Sequence, residues 1–298
     1  MLGAMFDPNT EACSEASHSA GEPLAGSASD APLFAAIAWP KAKWHHDKAA
    51  LSEGLPESVG SLEKAARAAG KKLQLRLFAR VGAPARPGLE VVCADFSSGD
   101  TLVRHELDAE SAVRVIADFA AGKAHGPALR EPLVLVCTDG RHDRCCGKLG
   151  QSLVTALRGS LAVAEVSHLG GHRLAPNCLV LPTGHLYGRV GPADVPAILD
   201  AVRHGTVYAP CYRGQSGLDE LSQVAEAAAF AHGGRHDWRV GEPEGAGDER
   251  LIAVSAGDLR LEVTCERRTY LGIASCGDAE PESRARWVAT GALPVSVA

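Results

Sequence analysis

The chain has 298 residues, enough for more than one domain, and a formal net charge of −6 at pH 7. It therefore lacks the positive field that nucleic-acid and anionic-membrane partners require, and we expect neither. Its apolar runs are far shorter than a membrane span, and its start has no basic or apolar segment of a signal peptide. A cytoplasmic location is expected.

The first thirty residues are rich in Gly, Ala, Ser and Pro and predict an extended N-terminal lead-in over residues 1–30. The next unit, residues 31–125, is predicted to contain a strand (33–39), a helix (57–70), a strand (72–80), a hairpin (89–96 and 101–107) and a helix (108–122). Residues 126–212 repeat this order with a strand (132–137), a helix (148–159), a strand (161–168), a hairpin (177–182 and 185–190) and a helix (191–205).

Both units have the order β-α-β followed by β-β-α, which is that of a thioredoxin-like domain lacking its middle helix. The predicted fold class is α/β, with two tandem thioredoxin-like units that arose by duplication, although α/β proteins also reach such orders by chance. Residues 213–298 predict a long helix followed by short antiparallel strands, and no motif with identifiable chemistry occurs there.

The nine cysteines are odd in number and irregularly spaced in a chain long enough to form a core. This pattern argues against a secreted disulfide framework and favours reduced thiols, some of which serve as ligands. Cys93 and Cys265 lie in strand-like runs and are expected to be core residues.

One stretch concentrates ligand chemistry. "CTDGRHDRCCGKLG" (137–150) follows a buried strand and contains Cys137 and Cys146, with eight residues between them. The next strand runs into a loop that contains His168 and His172. In a parallel β-α-β unit both loops can meet at one edge of the sheet, so two thiolates and two imidazoles can face a common point.

Several interpretations of these residues stay open. Two cysteines and two histidines suit tetrahedral zinc, although eight residues is a wide gap for a zinc knuckle. Alternatively, Cys145 or Cys146 is a reactive thiol, because a helix N-terminus and nearby arginines lower a thiol pKa. In the simplest interpretation the histidines are polar loop residues and the cysteines belong to the core.

The chain resembles the sucrase/ferredoxin-like family, also described as thioredoxin-like ferredoxins. The family signature is Cys-x8-Cys followed by His-x-Gly-Gly-His, matched here by Cys137, Cys146 and "HLGGH" (168–172). "CSEASHSAGEPLAGSA" (13–28), "YGRV" (187–190) and "YRGQS" (212–216) look similar too, whereas a Pro-Gly-Pro-Trp stretch expected after the first strand is missing. The resemblance implies a [2Fe-2S] cluster as cofactor, with Cys137, Cys146, His168 and His172 as its ligands.

The function implied is one-electron transfer, with a redox enzyme or sensor that uses the cluster, or a zinc-stabilised interaction module, as alternatives. Whether the chain is an enzyme stays open, and an electron carrier is favoured over a catalyst. The sequence has neither the carboxylate pair of a glycosidase nor the glycine fingerprint of a nucleotide site. Neutral imidazoles should raise the reduction potential above that of a four-thiolate cluster. Around the ligands we expect Arg141, Asp143, Gly170, Gly171 and Arg173, the glycines because they permit a positive φ. Exposed cations there would attract an acidic redox partner such as a reductase.

Overall fold

The computed structural model describes residues 12–44, 54–82, 87–141, 143–233, 237–276, 278 and 280–295. Its helices are α1 (Cys13–Ser19), α2 (Val59–Ala68), α3 (Ala109–Ala120), α4 (Arg144–Leu157), α5 (Val195–His204) and α6 (Glu220–His232). Its strands are β1 (Leu33–Ala38), β2 (Leu73–Arg80), β3 (Leu89–Asp95), β4 (Asp100–Leu107), β5 (Leu133–Cys137), β6 (Ala162–Val166), β7 (Cys178–Leu181), β8 (His185–Tyr187), β9 (Tyr212–Gln215), β10 (Arg239–Glu244), β11 (Glu249–Ala256), β12 (Leu259–Gly272) and β13 (Glu282–Pro294). None of the helices in these ranges combines the length and apolar character that crossing a membrane requires.

A mixed sheet of nine strands forms the centre of the described part of the chain. Its strand order is β4-β3-β1-β2-β6-β5-β7-β8-β9. β1 pairs with β2 in parallel, and so does β5 with β6, whereas the other neighbours are antiparallel. The prediction of an α/β fold is therefore confirmed.

The same strand arrangement occurs twice in this sheet. The order β4-β3-β1-β2 has its counterpart in β8-β7-β5-β6, with one parallel pair and a following hairpin in each half. α2 connects the first parallel pair and α4 the second. The antiparallel pairing of β2 with β6 joins the halves into one sheet.

The residues of β5 are all buried, but successive side chains belong to different core clusters. Val134 and Val136 belong to a core cluster that also contains residues of α4, α5 and α6. Leu133, Leu135 and Cys137 belong to another cluster, because successive side chains of a strand point to opposite faces. Cys137 therefore ends β5 inside an apolar cluster on the face opposite Val136.

A second sheet of four antiparallel strands, β10 to β13, packs through α6 against the part of the large sheet that β5 to β9 form. Val224, Ala229 and Phe230 of α6 share a core cluster with Ile252 and Val263 of this sheet. The chain between β12 and β13 returns to the cysteine-containing cluster. The C-terminal strands therefore bring residues to the end of β5.

Two local predictions need correction. The lead-in is not extended throughout, because α1 forms in it and buries Cys13, Ser14 and Ser17; residues 1–11 lie outside the described part. α4 starts at Arg144 rather than at residue 148, because the Asp143 carboxylate caps it.

The C-terminal prediction also differs from the structure. Residues 212–215 form β9, which extends the large sheet, and α6 begins only at Glu220. The predicted boundary at residue 212 therefore falls inside a strand. β12 and β13 are not short: they have 14 and 13 residues and pair along most of their length.

Candidate metal centre

The carboxyl end of β5 meets the start of α4 at the predicted ligand loop. Cys137 is the last residue of β5, and the Asp143 carboxylate accepts a hydrogen bond from the Cys145 N–H at 2.8 Å. A Cβ added at Gly150 would lie 2.1 Å from the carbonyl oxygen of Cys137, so the helix approaches the strand end as closely as glycine allows. This approach brings Cys146 to Cys137.

Three of the four predicted ligands are in direct contact. Cys137 and Cys146 are each 1% exposed, and their thiols share a hydrogen bond. The pKa of Cys137 lies well below its usual value, mainly because this thiol accepts the hydrogen bond from Cys146. Burial opposes this shift, whereas contacts with His168 and the Leu169 N–H add to it. Donating the bond raises the pKa of Cys146, and burial adds to this.

His172 lies beside His168 on a turn formed by two glycines. Gly170 and Gly171 have φ of +90° and +69°, the left-handed conformation that we predicted for them. The ring centroids of His168 and His172 are 5.6 Å apart. The Nε2 of His172 donates to the carbonyl oxygen of Ala274 at 2.5 Å, since a carbonyl can only accept. In a neutral ring this leaves the lone pair on Nδ1.

Arg213 and Asn177 hold the glycine turn, a role that no motif in the sequence predicts for either residue. Arg213 donates to the carbonyl oxygen of Gly170 at 3.0 Å and to Oδ1 of Asn177 at 2.9 Å. The Asn177 Nδ2 donates to the carbonyl oxygen of Gly171 at 3.0 Å. Burial lowers the pKa of Arg213 to about 9. "YRGQS" contains this arginine, but its spacing does not show what the guanidinium contacts.

Arg141 and Arg173 brace the ligand loops through oxygen atoms. Arg141 donates to the carbonyl oxygens of Trp44 at 2.7 Å and Ala42 at 3.0 Å, which ties its loop to the segment after β1. The Arg173 Nε donates to the Glu22 carboxylate at 2.8 Å. Both arginines therefore connect the ligand loops to neighbouring segments.

A second group of sulfur atoms lies beside the first, and the sequence did not predict it. The Sγ of Cys145 is 3.2 Å from that of Cys276 and 3.6 Å from that of Cys13. Asp143, expected near the first group, accepts a hydrogen bond from the Cys276 N–H at 3.1 Å. Cys145 and Cys146 are adjacent in sequence but belong to different groups. Cys276 was missed because 131 residues separate it from Cys145 and no spacing rule covers that distance.

A family model described as sucrase/ferredoxin-like matches residues 24–214, well over half of the chain. The chain belongs to the sucrase/ferredoxin-like family. The matched region of this family member contains Cys137, Cys146, His168 and His172, but neither Cys13 nor Cys276. Membership of the family confirms the resemblance, whereas the cluster-ligand motif stays a prediction.

Three curated relatives carry the name "Altered inheritance of mitochondria protein 32". That of Eremothecium gossypii is 33% identical over 106 residues, which are 30% of this chain and 34% of the relative. That of Debaryomyces hansenii is 36% identical over 96 residues, 28% of this chain and 35% of the relative. That of Meyerozyma guilliermondii is 30% identical over 99 residues, 29% and 35% respectively. The chain thus spans about a third of the length of these relatives, and no solved structure matches it.

The functional prediction from the sequence is wrong by these comparisons. It gave a [2Fe-2S] one-electron carrier, with a redox enzyme or sensor or a zinc-stabilised module as alternatives. The three relatives of this sucrase/ferredoxin-like protein are instead named for altered inheritance of mitochondria, and none for electron transfer. Sulfur and imidazole donors limit what can bind at a site, but they do not define the process that the protein serves.

Proposed function

We propose that this chain is a cofactor-binding protein in which Cys137, Cys146, His168 and His172 hold a metal centre. The observation that carries the proposal is the convergence of two thiols and two imidazoles from separate loops at the end of β5. Thiolate and imidazole are ligands that zinc, copper and iron centres use. The contact of His172 with the Ala274 carbonyl also fits, because a ligating histidine usually donates its other N–H to such an acceptor.

The spread of the donor atoms favours a cofactor with two metal ions. Within the described ranges, the group whose ligand atoms all lie within 4.8 Å of one another is the second one, formed by Cys13, Asp143, Cys145 and Cys276. Cys137, Cys146, His168 and His172 form no such group among the described residues. A single tetrahedral ion would have to draw its donors to within about 2.0–2.3 Å of itself. The [2Fe-2S] cluster that the family resemblance implies therefore becomes the candidate cofactor, with no electron-carrier role assigned to it.

The surrounding residues support a preformed site. Leu169 directs its N–H at the Cys137 sulfur, and Arg213 and Asn177 fix the turn that carries the histidines. When bound, the cofactor would join the loop after β5 to the loop after β6. Because the chain already positions both loops, binding would need little rearrangement.

Metal analysis of the full chain tests the proposal. Protein purified without oxygen should contain about two iron and two acid-labile sulfide per chain and show the visible absorption of such a cluster. Cys146→Ser and His168→Ala should lose both, whereas Cys178→Ser, a control at a buried strand cysteine, should keep them.

Three outcomes would count against the site. Wild-type protein supplied with iron and sulfide could stay colourless, Cys146→Ser could retain as much iron as wild type, or the four residues could hold a single zinc ion. The first outcome would refute the metal centre, and the second would refute its ligand set. The third would refute a cofactor with two metal ions.

We further propose that residues 31–125 and 126–212 are two thioredoxin-like units. The support is the matching strand order and orientation of β1 to β4 and β5 to β8. Superposition of the two halves, and of each on a thioredoxin, should pair these strands in sequence order. Pairing in any other order would contradict a duplication.

The cytoplasmic location and the partners stay predictions. Fractionation of gently lysed cells should recover the chain with cytoplasmic markers. Purified protein should carry no nucleic acid and should not sediment with lipid vesicles. A reductase or other redox protein is the expected partner and should co-purify with the chain at low salt.

A further inference from the structure

Three cysteines and one aspartate form a buried group that takes no part in the proposed centre. Cys13, Asp143, Cys145 and Cys276 are 0%, 3%, 3% and 8% exposed. They come from α1, from the start of α4 and from the segment between β12 and β13. We propose that these four residues bind one divalent cation of the zinc class.

The distances within the group match a tetrahedral ion. With metal–sulfur bonds of about 2.3 Å, sulfurs around zinc lie about 3.8 Å apart. The three sulfur–sulfur distances among Cys13, Cys145 and Cys276 are 3.2, 3.5 and 3.6 Å. A disulfide needs about 2.0 Å, and all three cysteines are unpaired by disulfides. A small outward movement of the side chains would therefore accommodate the ion.

The aspartate occupies the fourth position. The two Asp143 oxygens lie 3.6 and 3.7 Å from the Cys13 sulfur. The Oδ1 of Asp143 also lies 3.4 Å from the Cys276 sulfur. Around zinc, a carboxylate oxygen and a thiolate sulfur are separated by about 3.6 Å. The donor set is thus three sulfurs and one oxygen, which all lie within 4.8 Å of one another.

Hydrogen bonds orient the ligands before any ion is bound. Asp143 accepts from the backbone N–H groups of Cys145 at 2.8 Å and Cys276 at 3.1 Å, and from the Ser275 hydroxyl at 3.3 Å. The Ser14 hydroxyl donates to the Cys145 sulfur at 3.3 Å. Contacts of this kind fix ligand orientation at metal sites.

Four protein ligands leave no open coordination position, which is typical of a structural site. The ion would connect segments that are 131 and 263 residues apart, and it would hold the helix that also supplies Cys146. The site shares no ligand with the proposed cofactor, and two of its four residues, Cys13 and Cys276, lie outside the family match.

Zinc binding by the reduced full chain tests this site. In competition with a chromophoric chelator, metal-free wild-type protein titrated with zinc chloride should bind one zinc more per chain than the Cys13→Ser/Cys276→Ser double variant. Cys93→Ser, a buried cysteine in β3 outside both groups, should bind as much as wild type.

Thiol protection in the unmutated chain keeps the test valid if the double variant does not fold. Zinc should slow alkylation of Cys13, Cys145 and Cys276 about tenfold or more, because a metal-bound thiolate is a poor nucleophile compared with a free one. Cys265, buried in β12 outside both groups, serves as the internal reference: any slowing there reports general stabilisation of the fold, and the slowing of the three thiols should exceed it.

Specific results would overturn the site. They are equal alkylation of the three thiols with and without zinc, equal zinc content of wild type and double variant, or a Cys145–Cys276 disulfide in protein isolated under reducing conditions. The Cys146→Ser/His168→Ala variant separates this site from the proposed cofactor, because zinc should still protect the three thiols there.

Discussion

The guanidinium of Arg213 donates a hydrogen bond to the carbonyl oxygen of Gly170 at 3.0 Å. This bond fixes the turn between His168 and His172. The same side chain is 2% exposed and donates to the hydroxyl of Ser27 at 2.9 Å. It therefore connects the histidine turn, β9 and the N-terminal segment. A buried cation with several fixed acceptors is difficult to replace, because its partners lose their donor when it is removed.

Arg213→Lys should lower the free energy of unfolding by about 3 kcal/mol, because an ammonium group cannot reproduce the fork of contacts that a guanidinium makes. Urea unfolding monitored by circular dichroism measures this. Arg268→Lys is the matched control, since Arg268 is 54% exposed and pairs with Glu266 on the surface; it should change stability by less than about 0.5 kcal/mol. Equal effects of the two substitutions would show that Arg213 does not hold the turn.

Gly171→Ala should destabilise the protein more than Gly21→Ala. Both glycines have nearly the same positive φ, +69° and +67°, so both substitutions introduce a similar backbone strain of about 1 kcal/mol. A Cβ at Gly171 would also lie 2.5 Å from Nη2 of Arg213, whereas one at Gly21 would have no atom within 4 Å. Arg213 is pinned by its hydrogen bonds and cannot move aside easily.

The difference in unfolding free energy between the two alanine variants measures the cost of this close contact. We expect this difference to be about 1–3 kcal/mol. Thermal or urea unfolding of both variants gives the value. Identical unfolding midpoints would mean that the turn has room for a methyl group and that only the φ requirement selects glycine at residue 171.

Local features of the site could be predicted, because they depend on residues close together in the sequence. The apolar run of β5 predicts a buried strand that ends at Cys137, and the glycine pair predicts positive φ at Gly170 and Gly171. The start of α4 was placed too late, because the polar stretch before residue 148 resembles a loop and hides Asp143 as its cap.

The second cysteine group could not be predicted in the same way. Cys13 and Cys276 are 263 residues apart and meet only because α1 and the segment after β12 both pack at the end of β5. Helix and strand periodicities describe one element at a time, and neither predicts a contact between residues so far apart in the sequence. The role of Arg213 was missed for the same reason, since its acceptors lie in the turn before β7 and in the N-terminal segment.

The stability of the wild-type protein should fall as the pH rises from about 4.5 to about 7 because of Glu226. Burial raises the pKa of this carboxyl to about 7, although it accepts a hydrogen bond from the Tyr212 hydroxyl at 2.7 Å. In this window the folded state binds the proton more tightly than the unfolded state does, so raising the pH favours unfolding.

Glu226→Gln should remove that loss and make the variant more stable than wild type above pH 7, by on the order of 3 kcal/mol. Urea unfolding at a series of pH values measures the slope. Glu244→Gln on exposed β10 is the control, and its curve should run parallel to that of wild type. A Glu226→Gln curve with the wild-type slope would show that this carboxyl does not titrate in the window.

Glu22→Gln should lower stability at neutral pH by about 3 kcal/mol, because it leaves a largely buried arginine without its counter-ion. Glu22 is 4% exposed, and Arg173 approaches its Oε1 to 2.6 Å. Burial alone would raise the pKa of Glu22, but hydrogen bonds from Arg173 and Ser17 outweigh it and keep the pKa below the ordinary value of 4.5. The unfolded state therefore binds the proton more readily than the folded state, so this stabilisation is lost as the pH falls below about 4.5.

Unfolding of the Glu22→Gln variant at neutral and at acidic pH tests the sign as well as the size of this contribution. The gap between wild type and Glu22→Gln should be widest at neutral pH and should narrow as the solution is acidified below the ordinary glutamate pKa. Asp30→Asn provides the control, since Asp30 pairs with Lys72 where both side chains are more than half exposed, and it should change stability by less than about 1 kcal/mol. A gap that stayed constant with pH would mean that Glu22 stabilises the N-terminal segment through its packing. A stabilisation that comes from the negative charge must disappear when the carboxylate is protonated.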